Sequence, residues 1–196
     1  MADYGAGNLR SVTSALTRAG AVPAVTTDSA VVLEAPLAVV AGVGHVESAA
    51  RGLAASGLDD ALRERAATER PTFGICVGMQ LLFEESEEGG TGLGLLAGPV
   101  RRLRARRVPH MGWNALSVSR AAGILDGLDG ADVYFAHSYA VQPDDASVTA
   151  ATVEHDGTVV AVVSAGALAG VQFHPERSGA AGARILENVL AWSRSA

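Results

Sequence analysis

The pattern of this 196-residue chain predicts an α/β fold, a three-layer sandwich around a mixed, mostly parallel sheet in one domain over residues 1–196. Three features predict it. Short apolar runs alternate with segments of helical period through the first half, a β-rich stretch with an Asp156-Gly157 hairpin follows, and an amphipathic segment at residues 183–192 closes the chain. Hydrophobic residues make up 48% of the sequence and charged residues 18%, which is enough to bury a core and too apolar for a disordered chain.

The first helix is expected at residues 8–19, where Leu9, Val12, Ala15, Leu16 and Ala19 recur at helical spacing, with Asn8 as N-cap and Gly20 just past the end. Residues 22–26 and 37–41 read as short buried strands, the second entering the glycine-rich loop Ala41-Gly42-Val43-Gly44-His45. From 46 to 69 the period is helical again, with Gly52 and Gly57 as interruptions and Asp59 and Asp60 suited to a first turn. Residues 72–75 form an apolar step that ends at Cys76. Met79, Leu81, Leu82 and Phe83 then begin an amphipathic helix, closed by a solvated run of glutamates at 84–88 and by Gly89-Gly90. Strands are expected at 108–118, 132–141, 148–155, 158–163 and 166–173. Ligands in such sheets sit at strand carboxyl ends, here the loops at Gly42, Cys76 and His174.

Composition excludes several functions. A net charge of −6 argues against nucleic acid or an anionic membrane as the main partner. Arg101, Arg102, Arg104, Arg106 and Arg107 form a local exception, read as a solvated edge, with docking to an acidic partner or phosphate as the alternative. One cysteine makes neither an intramolecular disulfide nor a multi-thiolate metal site, so a reducing cytoplasm is the expected compartment. The polar start is no secretion signal, and the longest apolar tract, 159–173, is interrupted and falls short of the ~20 residues of a membrane span. The five histidines form no His-x-x-x-His pair, so no metal is expected, and the P-loop lysine and Rossmann glycine spacing are both missing, which discounts a nucleotide.

Gly74-Ile75-Cys76-Val77-Gly78 is the cysteine form of a nucleophile elbow, a sharp strand-to-helix turn. The glycines permit close backbone approach, and the helix amino terminus favours a thiolate. In Val171-Gln172-Phe173-His174-Pro175-Glu176, His174 ends an apolar strand, and in extended geometry Glu176 points the same way. Cys76, His174 and Glu176 are therefore the candidate nucleophile, proton carrier and orienter. An oxyanion hole would use the N–H of Val77 and one from Gly42, Val43 or Gly44.

With these residues the chain resembles the class I glutamine amidotransferases, whose Cys-His-Glu triad matches Cys76, His174 and Glu176. Three further segments look like the glutaminase subunits of imidazole glycerol phosphate synthase: Asp3-Tyr4-Gly5-Ala6-Gly7-Asn8, Pro109-His110-Met111-Gly112-Trp113-Asn114 and Tyr134-Phe135-Ala136-His137-Ser138-Tyr139. The resemblance runs nearly end to end. It implies that Cys76 attacks the glutamine amide, that Gln80, Ser138 and Tyr139 hold glutamine, and that Asn8, Trp113, Tyr134 and Arg177 stand at interface or gate positions. It also implies no cofactor and a (β/α)₈ cyclase partner in a heterodimer, which uses the ammonia in histidine biosynthesis. The chain departs from the pattern in three places. The apolar run usual before Asp3 is nearly missing, pointing to a late start; Ala41 replaces a proline, loosening the oxyanion strand; and Arg177 stands where lysine is common. Two other readings share the motifs, a catalytically silent docking module of the same complex and a stand-alone cysteine hydrolase.

Overall fold

The computed structural model describes residues 1–5 and 7–195, so Ala6 of the first motif lies outside the described residues. In chain order the elements are α1 (Leu9–Arg18), α2 (Ser29–Glu34), β1 (Ala38–Gly42), α3 (Val46–Ser56), α4 (Leu58–Ala67), β2 (Thr72–Cys76), α5 (Val77–Gln80) and β3 (Val100–Arg102). They continue with β4 (His110–Ala115), β5 (Ser117–Val118), β6 (Asp132–His137), β7 (Tyr139–Val141), β8 (Thr149–Glu154), β9 (Thr158–Ala165), β10 (Leu168–Val171) and α6 (Gly179–Trp192).

The main sheet is six-stranded in the order β1-β2-β10-β9-β8-β5. Its first three strands are parallel, and β9, β8 and β5 continue it antiparallel. In the parallel half Gly42 stands opposite Cys76 and Val171 opposite Ile75, so three strands end side by side. Every residue of β1, β2 and β10 is buried, as expected of parallel strands covered on both faces. Beside β1, Ala2 N–H donates to the Val39 carbonyl at 3.0 Å and Ala2 bridges Thr26 in parallel.

Helices cover both faces. α1 packs with α6, while α2 and α3 pack on α4. The apolar stripe of α1, Val12, Ala15 and Leu16, is buried, at about 1.5–3 kcal/mol for each fully buried large side chain. Gly57, at φ 66°, breaks α3 from α4 as the left-handed conformation requires. Gly52 does not interrupt α3. It is needed because a Cβ there would lie 2.2 Å from the Tyr4 carbonyl oxygen.

Arg65 of α4 is fully buried, and among the described residues no carboxylate pairs with it. Its guanidinium donates to the carbonyls of Val32, Leu33, Ala35 and Pro71 and to the Thr72 hydroxyl, tying the end of α2 to the start of β2. Burial, helped by the charge of Arg70, pushes it down to about 10, so it remains a cation at neutral pH.

Several elements differ from expectation. Residues 22–26 are not a buried strand: Val22 is fully exposed and only Thr26 bridges, because just residues 1–3 stand between this segment and β1. The helix after Cys76 is one turn long, and the glutamates that follow are partnered rather than merely solvated. Glu84 accepts from Gly98 N–H, Glu85 pairs with Arg101, Glu87 accepts from Arg102 N–H, and Glu88 pairs with His45. Residues 108–118 divide between β4 and β5, and 132–141 between β6 and β7, so β4–β6 and β3–β7 form two separate ribbons. The hairpin at Asp156-Gly157 is present, with φ of 52° and 137°.

Candidate active site

The elbow is built by close packing. Cys76 adopts φ 54° and ψ −111°, a conformation that costs a residue with a side chain about 1–3 kcal/mol. A Cβ on Gly78 would stand 1.8 Å from the Val40 carbonyl oxygen, and one on Gly74 would stand 2.5 Å from that of Gly78. Only glycine lets the first helical turn rest on β1 and β2 in this way, and that contact holds the cysteine in its strained turn.

His174 follows the end of β10 with an extended backbone. The chain then turns: Pro175–Arg177 is a 3₁₀ turn, so Glu176 approaches from a tight turn and not along an extended strand. Its Oε1 lies 2.9 Å from His174 Nδ1, with the two side chains 3% and 8% exposed. Burial works against a charged His174, but hydrogen bonds and negative charge from Cys76 and Glu176 outweigh it and raise the imidazole to about 10. The three residues therefore meet, with the proton-bearing ring between sulfur and carboxylate. Backbone bonds fix the ring's base: His174 N–H donates to the Tyr134 carbonyl, and the Ser178 hydroxyl donates to the His174 carbonyl.

Beside the elbow lies a cavity of about 210 Å³ lined by Gly44, Val77, Gln80, Ser138 and Tyr139 together with Glu88, Pro109, Met111, Ala136 and His137. Five of the residues expected to serve substrate thus line one cavity. Gly42 faces Cys76 across the sheet, and a Cβ there would lie 2.2 Å from the Tyr4 hydroxyl oxygen. Val43 is half exposed, and Gly44, at φ 92°, turns the loop towards the cavity. The ladder with β2 continues through Ala41, whose carbonyl accepts from the Tyr4 hydroxyl at 2.9 Å; that bond pins the strand at the alanine.

A model of the glutamine amidotransferase class-I family matches residues 1–192. The chain belongs to the class I glutamine amidotransferase family. The imidazole glycerol phosphate synthase subunit HisH of Syntrophotalea carbinolica is 44% identical over 95% of this chain and 96% of its own length. The subunits of that name from Geobacillus kaustophilus and Carboxydothermus hydrogenoformans are 45% and 46% identical, over 96% and 95% of this chain and 93% and 96% of their own. Among solved structures, a glutamine amidotransferase superposes with a TM-score of 0.79 at 20% identity, covering 98% of this chain and 97% of that one. PurLQS from Thermotoga maritima gives 0.77 at 19% identity, over 97% and 96%.

This amidotransferase also gathers three of its four expected interface residues. Trp113 and Tyr134 face each other across the β4–β6 ribbon with ring centroids 5.9 Å apart, and the Arg177 guanidinium lies 4.0 Å over the Tyr134 ring. Trp113 and Met111 remain 57% and 64% exposed on the outer face of β4. Asn8 is exposed at the start of α1, which packs on the Pro175–Arg177 turn, and its side chain does not cap the helix. The arginine-rich segment lies elsewhere, along a groove of β3, β7 and the 155–160 hairpin.

Three polar groups near the site escape sequence reasoning. Gln172 is completely buried and donates to the Cys76 sulfur at 3.6 Å. His110 and His137 form a buried pair at 3.0 Å. Gln172 carried a usable signal, since it sits two residues before His174 at the end of the same apolar run; the histidine pair exists only through the β4–β6 register. Among the described residues no cluster of His, Cys, Asp or Glu could hold a metal, and no helix is long and apolar enough to cross a membrane.

Proposed function

We propose that this chain is the glutaminase of an imidazole glycerol phosphate synthase, hydrolysing glutamine to glutamate and ammonia and passing ammonia to a (β/α)₈ cyclase subunit docked on the Trp113 face. The observation that carries the reading is Cys76 on a strained elbow against His174, with Glu176 on the far ring nitrogen.

Cys76 sulfur attacks the side-chain amide carbon of glutamine, and the carbonyl π bond opens onto oxygen. The oxyanion accepts from the N–H of Val77, which follows the nucleophile at the start of a helical turn, and from the loop of Gly42, Val43 and Gly44. His174, carrying a proton at neutral pH, gives it to the departing nitrogen, and ammonia leaves a γ-glutamyl thioester. Water then attacks the thioester while His174 takes a proton from it; the C–S bond breaks, restoring the thiolate beside a protonated His174, and glutamate leaves with its new carboxyl group giving its proton to solvent. Gln80, Ser138 and Tyr139 hold the rest of the glutamine, while Asn8, Trp113, Tyr134 and Arg177 meet the partner. The link to catalysis is short, because Tyr134 carries the carbonyl that receives His174 N–H.

The test mixes the chain with a cyclase subunit and compares glutamine-dependent with ammonia-dependent product formation. Cys76→Ala should abolish the first and spare the second. Glutamine-dependent activity retained by that variant would exclude the thioester route.

A further inference from the structure

A continuous hydrogen-bonded path runs from the nucleophile to the β4–β6 ribbon, and its donor directions can be read from one fixed point. That point is the Tyr139 carbonyl, which only accepts. Gln80 Nε2 lies 3.0 Å from it, so the end of Gln80 facing it is the NH₂ group. The same nitrogen lies 3.0 Å from Gln172 Oε1, so Gln172 must present its oxygen there and its own NH₂ at the other end. That NH₂ faces the Cys76 sulfur at 3.6 Å. Two amides in series thus turn one backbone carbonyl into an N–H donor aimed at the sulfur.

The carbonyl is held from the opposite side as well. His137 Nδ1–H donates to it at 2.8 Å, which leaves His137 Nε2 to accept from His110 Nδ1–H at 3.0 Å. Asn114 Nδ2 reaches His110 Nε2 at 3.4 Å and the Glu154 carbonyl at 2.8 Å. Gln172, Gln80, His137 and His110 are all buried, so a misdirected amide would leave polar atoms without partners or water.

We propose that Gln172 is a further catalytic residue of this glutaminase, its side-chain N–H donating to the Cys76 thiolate in an orientation imposed by the Tyr139 carbonyl through Gln80. The inference rests on the glutaminase reading above. The donor helps most when the sulfur is an anion and least when it is a thioester, because a neutral sulfur is a weak acceptor. Gln172 therefore favours the attacking form of the nucleophile, and His137 and His110 are positioning residues that hold the carbonyl from which the orientation descends.

The test follows the rate at which iodoacetamide, a small primary carboxamide, labels Cys76 against pH in the assembled complex. Gln172→Leu should move the labelling midpoint up by about one pH unit, tenfold less thiolate at a pH below it. Gln172→Glu, which puts a carboxylate against the sulfur, should move it further. A residue that serves packing alone would change stability and leave the midpoint in place, so an unchanged midpoint in Gln172→Leu overturns the proposal. Where a variant does not fold, the wild-type complex decides by NMR: the Gln172 side-chain amide protons should shift with the Cys76 midpoint, and protons indifferent to it refute the contact. Wild-type Cys76 that labels no faster than a free thiol sinks the glutaminase reading and this inference together. Rapid wild-type labelling with an unmoved variant sinks the role of Gln172 alone.

Discussion

Two buried histidine environments sit within one site and titrate in opposite directions. His110 and His137, 4% and 6% exposed on the inner face of the β4–β6 ribbon, are pushed down to about 4. Burial is the main cause in both. His155 lowers His110 further, and for His137 the bond to the Tyr139 carbonyl opposes burial while His110, His155 and His174 add to it. His174, also 6% exposed, stands at about 10. Burial disfavours the charge on it too, but Cys76 and Glu176 reverse the outcome. Burial alone makes a neutral hydrogen-bond relay, whereas burial beside a sulfur and a carboxylate makes a proton donor.

The comparison is broken most severely by removing the sulfur. Cys76→Ala should eliminate glutamine hydrolysis, and the His174 midpoint should fall from about 10 because its bond to Cys76 and the associated charge are gone. Histidine ring NMR across a pH titration would show the fall. Glu176→Gln removes the second support, lowering the midpoint again and reducing glutamine turnover by about 10²-fold or more in steady-state assays.

The same contrast sets opposite pH windows for stability. His174 is raised above its unfolded value of 6.5, so its contribution is complete below pH 6.5 and lost as pH climbs through about 10. Denaturant midpoints of wild type and Glu176→Gln should therefore converge towards alkaline pH. His110 and His137 are depressed, so their contribution is complete above pH 6.5 and lost as pH falls towards about 4. His110→Phe, which keeps an aromatic ring against Phe135, should give the smallest effect, a flatter loss of stability between pH 6.5 and 4 in acid titrations followed by circular dichroism.

What could be read without coordinates was local. The elbow is legible because glycine spacing around Cys76 reports steric demands within five residues, and the Asp156-Gly157 hairpin because both residues must take positive φ. The alternation of apolar runs and helical periods placed β1, β2, α3 and α4 within a residue or two. Residues 108–118 misled because alternation persists through Leu116, where the chain leaves β4 for a different sheet. The run after Cys76 misled because Leu81, Leu82 and Phe83, all fully buried, pack in a loop as well as they would in a helix.

By itself the amino-acid sequence determined the class of fold and singled out a candidate nucleophile in its elbow and a candidate His-Glu pair, since each of these motifs depends on residue types at short separations. Tertiary structure decided everything that depends on which distant groups share a low-dielectric space: that Gln172 points its N–H at sulfur, that His110 and His137 stay neutral while His174 is charged, and that Arg65 lies buried on carbonyls and the Thr72 hydroxyl. Those outcomes follow from long-range register and packing, because a side chain's protonation and hydrogen-bond direction are set by neighbours the chain brings together only on folding.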